Sequence, residues 1–392
     1  MSLAWTLAVR LLRRRTSPLL RTSGLAAFAA VALGIASLVV VLALMSGYQE
    51  ALRSGILASS GQVVAVFPGG LSAGDAARLL PKVQRASGAS AVGEVLYLPG
   101  LLFGGDASAV VTVKASSRPP AFAALGADTA GGRLPIAIGR GAARRLGVTE
   151  GSPISLQVFP GGRGPLALAA RVERVFHTEL AEIDERWVFA SLAAVSRHVG
   201  GIAANGIELY LADPDAADAT RAIVEKACGP RALVTTWAET NRNLFAALRW
   251  QKTSLAILLS LIVGVGAFEV ASALVVLVTE KRRQLGILLA LGGEPALLRR
   301  TMLAAGGSLG IAGVAGGLAL GAGLVGLLAA LGIPRFPPEI AAIYMVERIP
   351  LRLLVGDLAV VAVVGIAEVV IAALLPAHRV GKWEPVEVLR WV

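Results

Sequence analysis

Charge is scarce in this chain, and so are the side chains that usually carry chemistry. Only 16% of its 392 residues are Asp, Glu, Lys or Arg, against about 25% in soluble globular chains. That excludes a protein whose whole surface meets water. A single cysteine, Cys228, excludes an intramolecular disulfide but leaves the compartment open. The three histidines, His177, His198 and His378, are widely spaced and have no metal-ligand partners in sequence. There is no HExxH, no GxSxG and no GxxxxGK[ST] loop for nucleotide phosphates. Gly139-Arg-Gly141 is half of a dinucleotide fingerprint without its third glycine, and reads as a strand-to-helix turn. The chain is therefore read as no enzyme, and energy for any work it does must come from a partner or an ion gradient.

What the chain has in abundance is apolar sequence. It is 55% hydrophobic, with a mean hydropathy of +0.71. The apolar residues collect in four runs, 24–46, 253–279, 301–332 and 353–376, each reaching the roughly 20 residues that carry a helix across a bilayer. The first follows a basic leader, residues 1–23, as a signal peptide would. Its run is longer than a cleaved h-region and no lipobox cysteine follows, so it reads as an uncleaved span.

The formal net charge of +11 could suggest nucleic acid, but position argues for a membrane. Arg10, Arg13, Arg14, Arg15 and Arg21 precede span one. Lys281, Arg282, Arg283, Arg299 and Arg300 fill the segment 280–300 between spans two and three, and Arg379, Lys382 and Arg390 lie in the tail 377–392. By the positive-inside tendency, both termini and segment 280–300 are cytoplasmic. Residues 47–252 and the loop 333–352 then lie outside. The outer segment reads as an α+β domain. Short β-rich runs begin at Gln62, Ala109, Ile154 and Trp187, helical stretches cover Ala76–Arg85 and Asp215–Lys226, and Asp213-Pro214 caps the latter. The expected fold is thus a membrane protein of four transmembrane α-helices, with a large extracytoplasmic (periplasmic) α+β domain between helices one and two.

Three features of the spans raise functional questions. Gly306, Gly310, Gly313, Gly317 and Gly321 recur at intervals of three and four, which predicts a close helix-packing face in span three. Glu269 and Glu368 lie inside spans, where a carboxylate faces a bundle interior or a wet cavity. The pair reads either as a proton relay or as protonated carboxyls hydrogen-bonded to neighbouring helices. Finally, the charged knuckle Glu280-Lys-Arg-Arg continues into apolar Leu285, Ile287, Leu288, Leu289 and Leu291 and stops at Gly292-Gly293. An amphipathic helix of this length either lies on anionic lipid or enters a groove on a partner, and the spacing leaves both open.

The knuckle resembles the ERRREIGILKALGA signature of type VII ABC transporter permeases, the FtsX/MacB-like group. The ending from Pro376 to Arg390 is similar to that group's P-A-x-R-A-x-x-x-x-P-V-E-A-L-R. Narrower stretches resemble the lipoprotein-releasing LolC/LolE permeases: Met45–Arg53, Val175–Asp184, Trp237–Leu248, Pro337-Pro-Glu-Ile and Arg348-Ile-Pro-Leu. Three departures stand beside these. A carboxylate, Glu269, occupies a position where relatives carry an amide, Lys114–Leu134 is abbreviated, and the hairpin 159–166 is short.

The resemblance implies a MacB-like periplasmic core domain, an inner-membrane location and a permease subunit of an ABC complex. That complex extracts lipoproteins from the outer leaflet and passes them to a periplasmic carrier. Its partners would be a cytoplasmic ABC ATPase dimer, a second permease subunit in a homo- or heterodimer, a lipoprotein substrate, the carrier and the lipid bilayer, with no nucleic acid. This chain would bind no cofactor, with ATP and Mg on the partner ATPase. Coupling to the ATPase would fall to Glu280, Lys281, Arg282, Arg283, Leu285, Gly286, Ile287 and Leu291. The carrier-binding hook would be Phe159, Pro160, Arg163, Pro165 and Leu166. A substrate cavity between helices one and two would be lined by Leu42, Met45, Tyr48, Leu261, Val265, Phe268 and Glu269. The alternative within the group is a mechanotransmission permease that drives an efflux adaptor or a cell-wall hydrolase.

Overall fold

The structure is a computed structural model that describes residues 7, 18–125, 132–160, 164–178, 180–199, 204–331 and 351–380. Arg10, Arg13, Arg14, Arg15 and Arg163, the loop 333–349 and most of the tail, including Lys382 and Arg390, lie outside the described residues. The chain divides into two compact units. The first comprises Met1–Tyr48, Ala247–Ile333 and Pro350–Val392, and the second Gln49–Ala246 and Pro334–Ile349.

Four helices long and apolar enough to cross a membrane supply the first unit: α1 (Pro18–Ser59), α8 (Arg242–Glu280), α10 (Pro295–Ala330) and α11 (Val355–Val380). They outrun the spans read from sequence because helix propensity does not stop where apolarity does. A short helix, α9 (Arg282–Ala290), separates α8 from α10. The expected 280–300 segment is thus not one element, since α10 already begins at Pro295, with proline in its first turn.

Glycine sets the packing of this bundle. The stripe in α10 serves three partners. A Cβ built at Gly313 would stand 3.0 Å from the Val31 side chain of α1, and one at Gly317 would stand 2.6 Å from the Ala32 carbonyl oxygen. Gly306 instead lies against Leu274 of α8 and Ala373 of α11, and Gly310 against Val369 of α11. Gly266 of α8 meets the backbone of Ala30 in α1, at 3.0 Å from the same construction. Where the obstacle is backbone, no rotamer change makes room. Gly317→Val is therefore expected to destabilise the bundle by about 1–3 kcal/mol through overpacking. Gly323→Val, where nothing lies within 4 Å of the added atom, should be tolerated. Thermal unfolding of the detergent-solubilised chain separates the two.

The second unit is built on nine strands: β1 (Val63–Leu71), β2 (Ala91–Gly104), β3 (Ala107–Ser116), β4 (Leu134–Gly139), β5 (Pro153–Val158), β6 (Leu166–Phe176), β7 (Trp187–Ser191), β8 (Ala204–Tyr210) and β9 (Leu233–Thr236). Six of them close a ring, β2–β3–β7–β4–β6–β5 and back to β2. Closure removes free edges. It also encloses a core of inward residues such as Leu102, Val113, Ile136, Leu156, Val172 and Val188. The 14-residue β2 outlasts the ring. Its first half pairs with β8, which continues through β1 to β9. That extension has its own core under α2 (Ala73–Ser87) and α6 (Ala217–Cys228).

Short helices complete the unit: α3 (Arg140–Leu146), α4 (Ala181–Arg186), α5 (Leu192–Val199) and α7 (Trp237–Thr240). Gly139 ends β4 and Arg140 opens α3, so Gly139-Arg-Gly141 is a strand-to-helix turn. Both glycines are small because the Asp184–Glu185 segment of α4 presses on them.

Candidate functional site

The knuckle α9 is a two-faced helix. Leu285, Gly286 and Leu289 are buried. Leu285 and Leu289 share a cluster with Leu277 and Val278 of α8, Leu298 and Met302 of α10, Ala377 of α11 and Leu20 of α1. Lys281 is also buried, at 7% exposure, and Arg282 is half-buried. The opposite face carries Glu280, Arg283, Gln284, Ile287 and Leu291 in the open, with Ile287 47% and Leu291 81% exposed. The eight knuckle residues thus divide between two faces. Lys281, Leu285 and Gly286 hold α9 against the bundle, and Gln284 joins the exposed set. The helix ends where Gly292 adopts φ +90°, and the Gly293 amide donates to the Leu288 carbonyl at 3.0 Å.

The residues expected to line a substrate cavity divide as well. Leu261, Val265, Phe268 and Glu269 lie exposed on one face of α8. Leu42 does not join them. It is 5% exposed and packed in the bundle core with Val263, Val314 and Val361. Met45 and Tyr48 are half-buried.

Of the two acids inside the helices, Glu368 of α11 accepts a short hydrogen bond from the Ser260 hydroxyl of α8. Its second oxygen, Oε2, is buried with no partner among the described residues. Glu269 lies nine positions beyond Ser260, about 13 Å along α8. The two carboxyls therefore do not form a direct relay, and Glu368 matches the reading of a carboxyl held by a neighbouring helix.

A polar clasp sits at the start of α11. Lys252 Nζ of α8 donates to both Asp357 oxygens at 2.8 Å and to Ser46 Oγ of α1 at 2.9 Å. Ser46 donates in turn to Asp357 Oδ2 at 2.6 Å. Three helices meet on one carboxylate in the helix's first turn, where a negative charge suits the helix dipole. Lys252→Met is expected to cost about 1–3 kcal/mol, since it strips Asp357 of its charge-assisted bonds. The shift in the thermal unfolding midpoint of the solubilised chain measures it.

In the second unit, Val158 of β5 pairs with Leu166 of β6, so the hook candidate is the connection 159–165 between antiparallel strands. Phe159 and Pro165 are exposed, Leu166 is half-buried and Pro160 is buried.

Residues from three of the stretches that carried the sequence resemblance, Arg53, Leu180 and Trp237 among them, meet around the end of α1. His177 Nδ1 lies 2.6 Å from Asp184 Oδ2, and Thr178 donates to Asp184 Oδ1 from both its amide and its hydroxyl at 2.8 Å. This locks the β6–α4 corner. Burial pushes the Asp184 carboxyl above its ordinary pKa, and these bonds oppose the push. Leu180 and Ile183 of the corner are buried, and Leu180 blocks any side chain at Gly55 of α1. Thr236 and Glu239 form a capping box at the start of α7. Trp237 Nε1 donates to the Pro214 carbonyl at 3.0 Å, and the Arg53 guanidinium lies 5.4 Å from the Trp237 ring centroid and 2.5 Å from Asp215.

Beneath them lies a network that sequence reasoning missed. Lys114 and Glu208 are both fully buried and paired at 2.7 Å. Lys114 also donates to the Ser59 carbonyl, the last residue of α1, at 2.8 Å. Tyr97 and Tyr210 donate to Glu208 at 2.5 and 2.8 Å. Burial draws the Lys114 pKa down, with Glu208 pulling the other way. The available signal was a lysine inside an alternating strand, Val113-Lys114-Ala115, and a glutamate inside another, Ile207-Glu208-Leu209. A cavity of about 410 Å³ opens beside this network, bordered by the end of α1, Tyr97, Trp187, the α4 corner and α7. No group of three or more metal-ligating side chains occurs among the described residues.

Four apolar helices, a short helix between the second and third of them, and a ring-and-extension sheet unit inserted after the first define a polytopic membrane protein with one large folded insert. Residues 25–227 match the family of the MacB-like periplasmic core domain and residues 256–385 the FtsX-like permease C-terminal, and the chain belongs to this permease family. It is 28% identical over 414 aligned positions to a lipoprotein-releasing system transmembrane protein LolC of Xylella fastidiosa strain Temecula1, covering 99% of each chain. A LolC of Neisseria meningitidis serogroup B is likewise 28% identical, over 93% of this chain and 92% of its own. Among solved structures, the periplasmic region of MacB from Actinobacillus actinomycetemcomitans covers 48% of this chain and 95% of its own length, at 12% identity and a TM-score of 0.31.

Proposed function

We propose that this chain is the membrane-spanning permease subunit of an ABC complex. The complex extracts lipoproteins from the outer leaflet of the inner membrane and hands them to a periplasmic carrier. The observation that carries this reading is the end-to-end match to LolC relatives, which takes in the helical bundle and the sheet unit together. In this reading both termini and α9 are cytoplasmic. The exposed side of α9, with Arg283, Gln284, Ile287 and Leu291, docks in a groove of an ATPase dimer, and the buried side passes the ATPase's closure to α8, α10 and α11. The chain itself binds no cofactor, and ATP with Mg is held by the partner. The exposed face of α8 around Leu261, Val265 and Phe268 receives acyl chains, opposite a second permease subunit. The β5–β6 connection then meets the carrier.

One observation favours the second reading, a mechanotransmission permease that drives an efflux adaptor or a cell-wall hydrolase. The connection 159–165 between β5 and β6 is short, and a carrier-capturing hook needs length. Co-purification from a Gram-negative host with the candidate ATPase decides between them. A lipoprotein found by mass spectrometry in the complex, and lost on adding ATP and carrier, supports release. A stable ATPase complex that carries no lipoprotein, with turnover indifferent to the carrier, supports the second reading.

A further inference from the structure

The cavity beside the end of α1 answers a need that lipoprotein release creates. An acyl chain lifted out of a bilayer exposes apolar surface to water at every carbon, and that exposure is unfavourable in proportion to its area. A route through a domain bathed in water therefore needs an apolar stopping place. Two cavities formed by described residues of the sheet unit differ in their lining. One, of about 550 Å³, is bordered by Ser116, Ser117, Ser191, Ser196 and Glu94, and its hydroxyls suit a polar guest. The other, of about 410 Å³, is walled by Ile56, Leu180, Ile183, Trp187, Trp237 and Leu244.

Size and charge narrow the guest of the second cavity. Its volume of about 410 Å³ lies within the roughly 300–1,000 Å³ of small-molecule pockets, room for one acyl chain. Among the described residues, its polar lining, Ser59, Ser60, Tyr97, Glu182, Thr240 and Asn241 among it, contains no Lys or Arg. A free fatty acid or a phospholipid would bring an anion to a border whose charged side chain, among the described residues, is the Glu182 carboxylate, and like charges repel. A chain held in an ester or amide brings none. The floor is also stiff, because the His177–Asp184 lock and the Lys114–Glu208–tyrosine network fix the walls on either side.

We propose that this cavity is a transit site for one esterified or amide-linked acyl chain of the lipoprotein, occupied between the membrane and the carrier. The inference rests on the lipoprotein-releasing reading above. The test uses the full chain with its ATPase, reconstituted in liposomes. A photoreactive benzoylphenylalanine replaces Ile56, Leu244 or, in the membrane, Leu261. The probe is a synthetic palmitoylated lipopeptide whose acyl chain carries an alkyne tag. Crosslinking at Leu261 without ATP, and at Ile56 and Leu244 once ATP is added, is the expected result. Thr240→Trp, which fills the cavity from an exposed position, should slow release at least about tenfold, the equivalent of a methylene or two of lost burial. Val110→Trp, on the outer face of β3, should release at the parental rate. Crosslinking at Leu261 alone, with Thr240→Trp releasing normally, overturns the transit site and leaves the lipoprotein reading standing. Crosslinking at none of the three positions overturns both.

Discussion

Replacing Ile287 and Leu291 together by aspartate is expected to abolish ATPase association while leaving the chain folded and inserted. Both side chains are exposed on the outer face of α9, at 47% and 81%, so their loss costs the bundle nothing. A central apolar anchor in an interface is worth about 2 kcal/mol or more. Two such anchors replaced by buried carboxylates lower affinity by roughly a thousandfold or more. Leu285→Asp, on the other side of the same helix, should behave differently. It places a charge among Leu277, Leu298 and Met302 and is expected to deplete the folded chain itself. Pull-down of the ATPase from solubilised membranes, normalised to the amount of folded chain, separates the two faces. Equal loss of ATPase from both variants, at equal chain levels, would remove the two-faced account of α9.

The second large effect is expected at Lys114. Lys114→Met leaves the Glu208 carboxyl buried without its cation, with only the hydroxyls of Tyr97 and Tyr210 as donors, and removes the bond to the end of α1 at Ser59. Breaking one side of a buried pair costs about 3–5 kcal/mol. The double variant K114M/E208Q should recover part of that loss, because a neutral amide replaces the uncompensated carboxylate and its oxygen still accepts from one of the two tyrosines, which bond to different oxygens of Glu208. A double-mutant cycle on denaturant unfolding, followed by Trp187 and Trp237 fluorescence, reads the coupling directly. Additive losses would mean that the pair does not act as a unit. Such a pair is weak as a source of stability and strong as a means of fixing one arrangement. Its place here is beside the final turn of a 42-residue helix, whose last carbonyl Lys114 holds.

Much of this architecture was legible in the sequence. The long apolar runs outweigh every competing signal, and the basic clusters at 281–283 and 299–300 flank the short helix α9. Strands such as β1, β5 and β7 could be read from β-branched alternation. The longest strand, β2, could not, because Pro99, Gly100 and Gly104 punctuate it as turns would. It survives as a strand through ten residue pairings with β3. Ring closure was equally hidden, since it joins β2 to β5 and β4 to β6 through pairings that no local pattern encodes. The glycine stripe in α10 announced a packing face, but only the three-dimensional arrangement shows it shared among α1, α8 and α11.

The candidate sites were legible in kind and less so in detail. Segment 280–291 was recognisable as amphipathic, yet a heptad-like spacing does not say which face the bundle takes, and Lys281 went to the buried side. Leu42 and Leu261 look alike as letters in apolar helices, but one fills the bundle core and the other is exposed. The His177–Asp184 lock, the Arg53–Trp237 stack and the Lys114–Glu208 pair join residues from 7 to 184 positions apart. The family-like stretches hold both partners of the first two and neither partner of the third, and no local pattern in them pairs the residues.

The most direct test of the central claim is release from proteoliposomes. The chain is reconstituted with its ATPase and a radiolabelled palmitoylated lipoprotein, and soluble carrier-bound label is counted with ATP and with a non-hydrolysable analogue. The account predicts transfer to the carrier only when ATP is hydrolysed, and none with the Ile287→Asp/Leu291→Asp variant. Steady ATP hydrolysis by the intact complex, with the lipoprotein remaining in the bilayer in the presence of carrier, would contradict it.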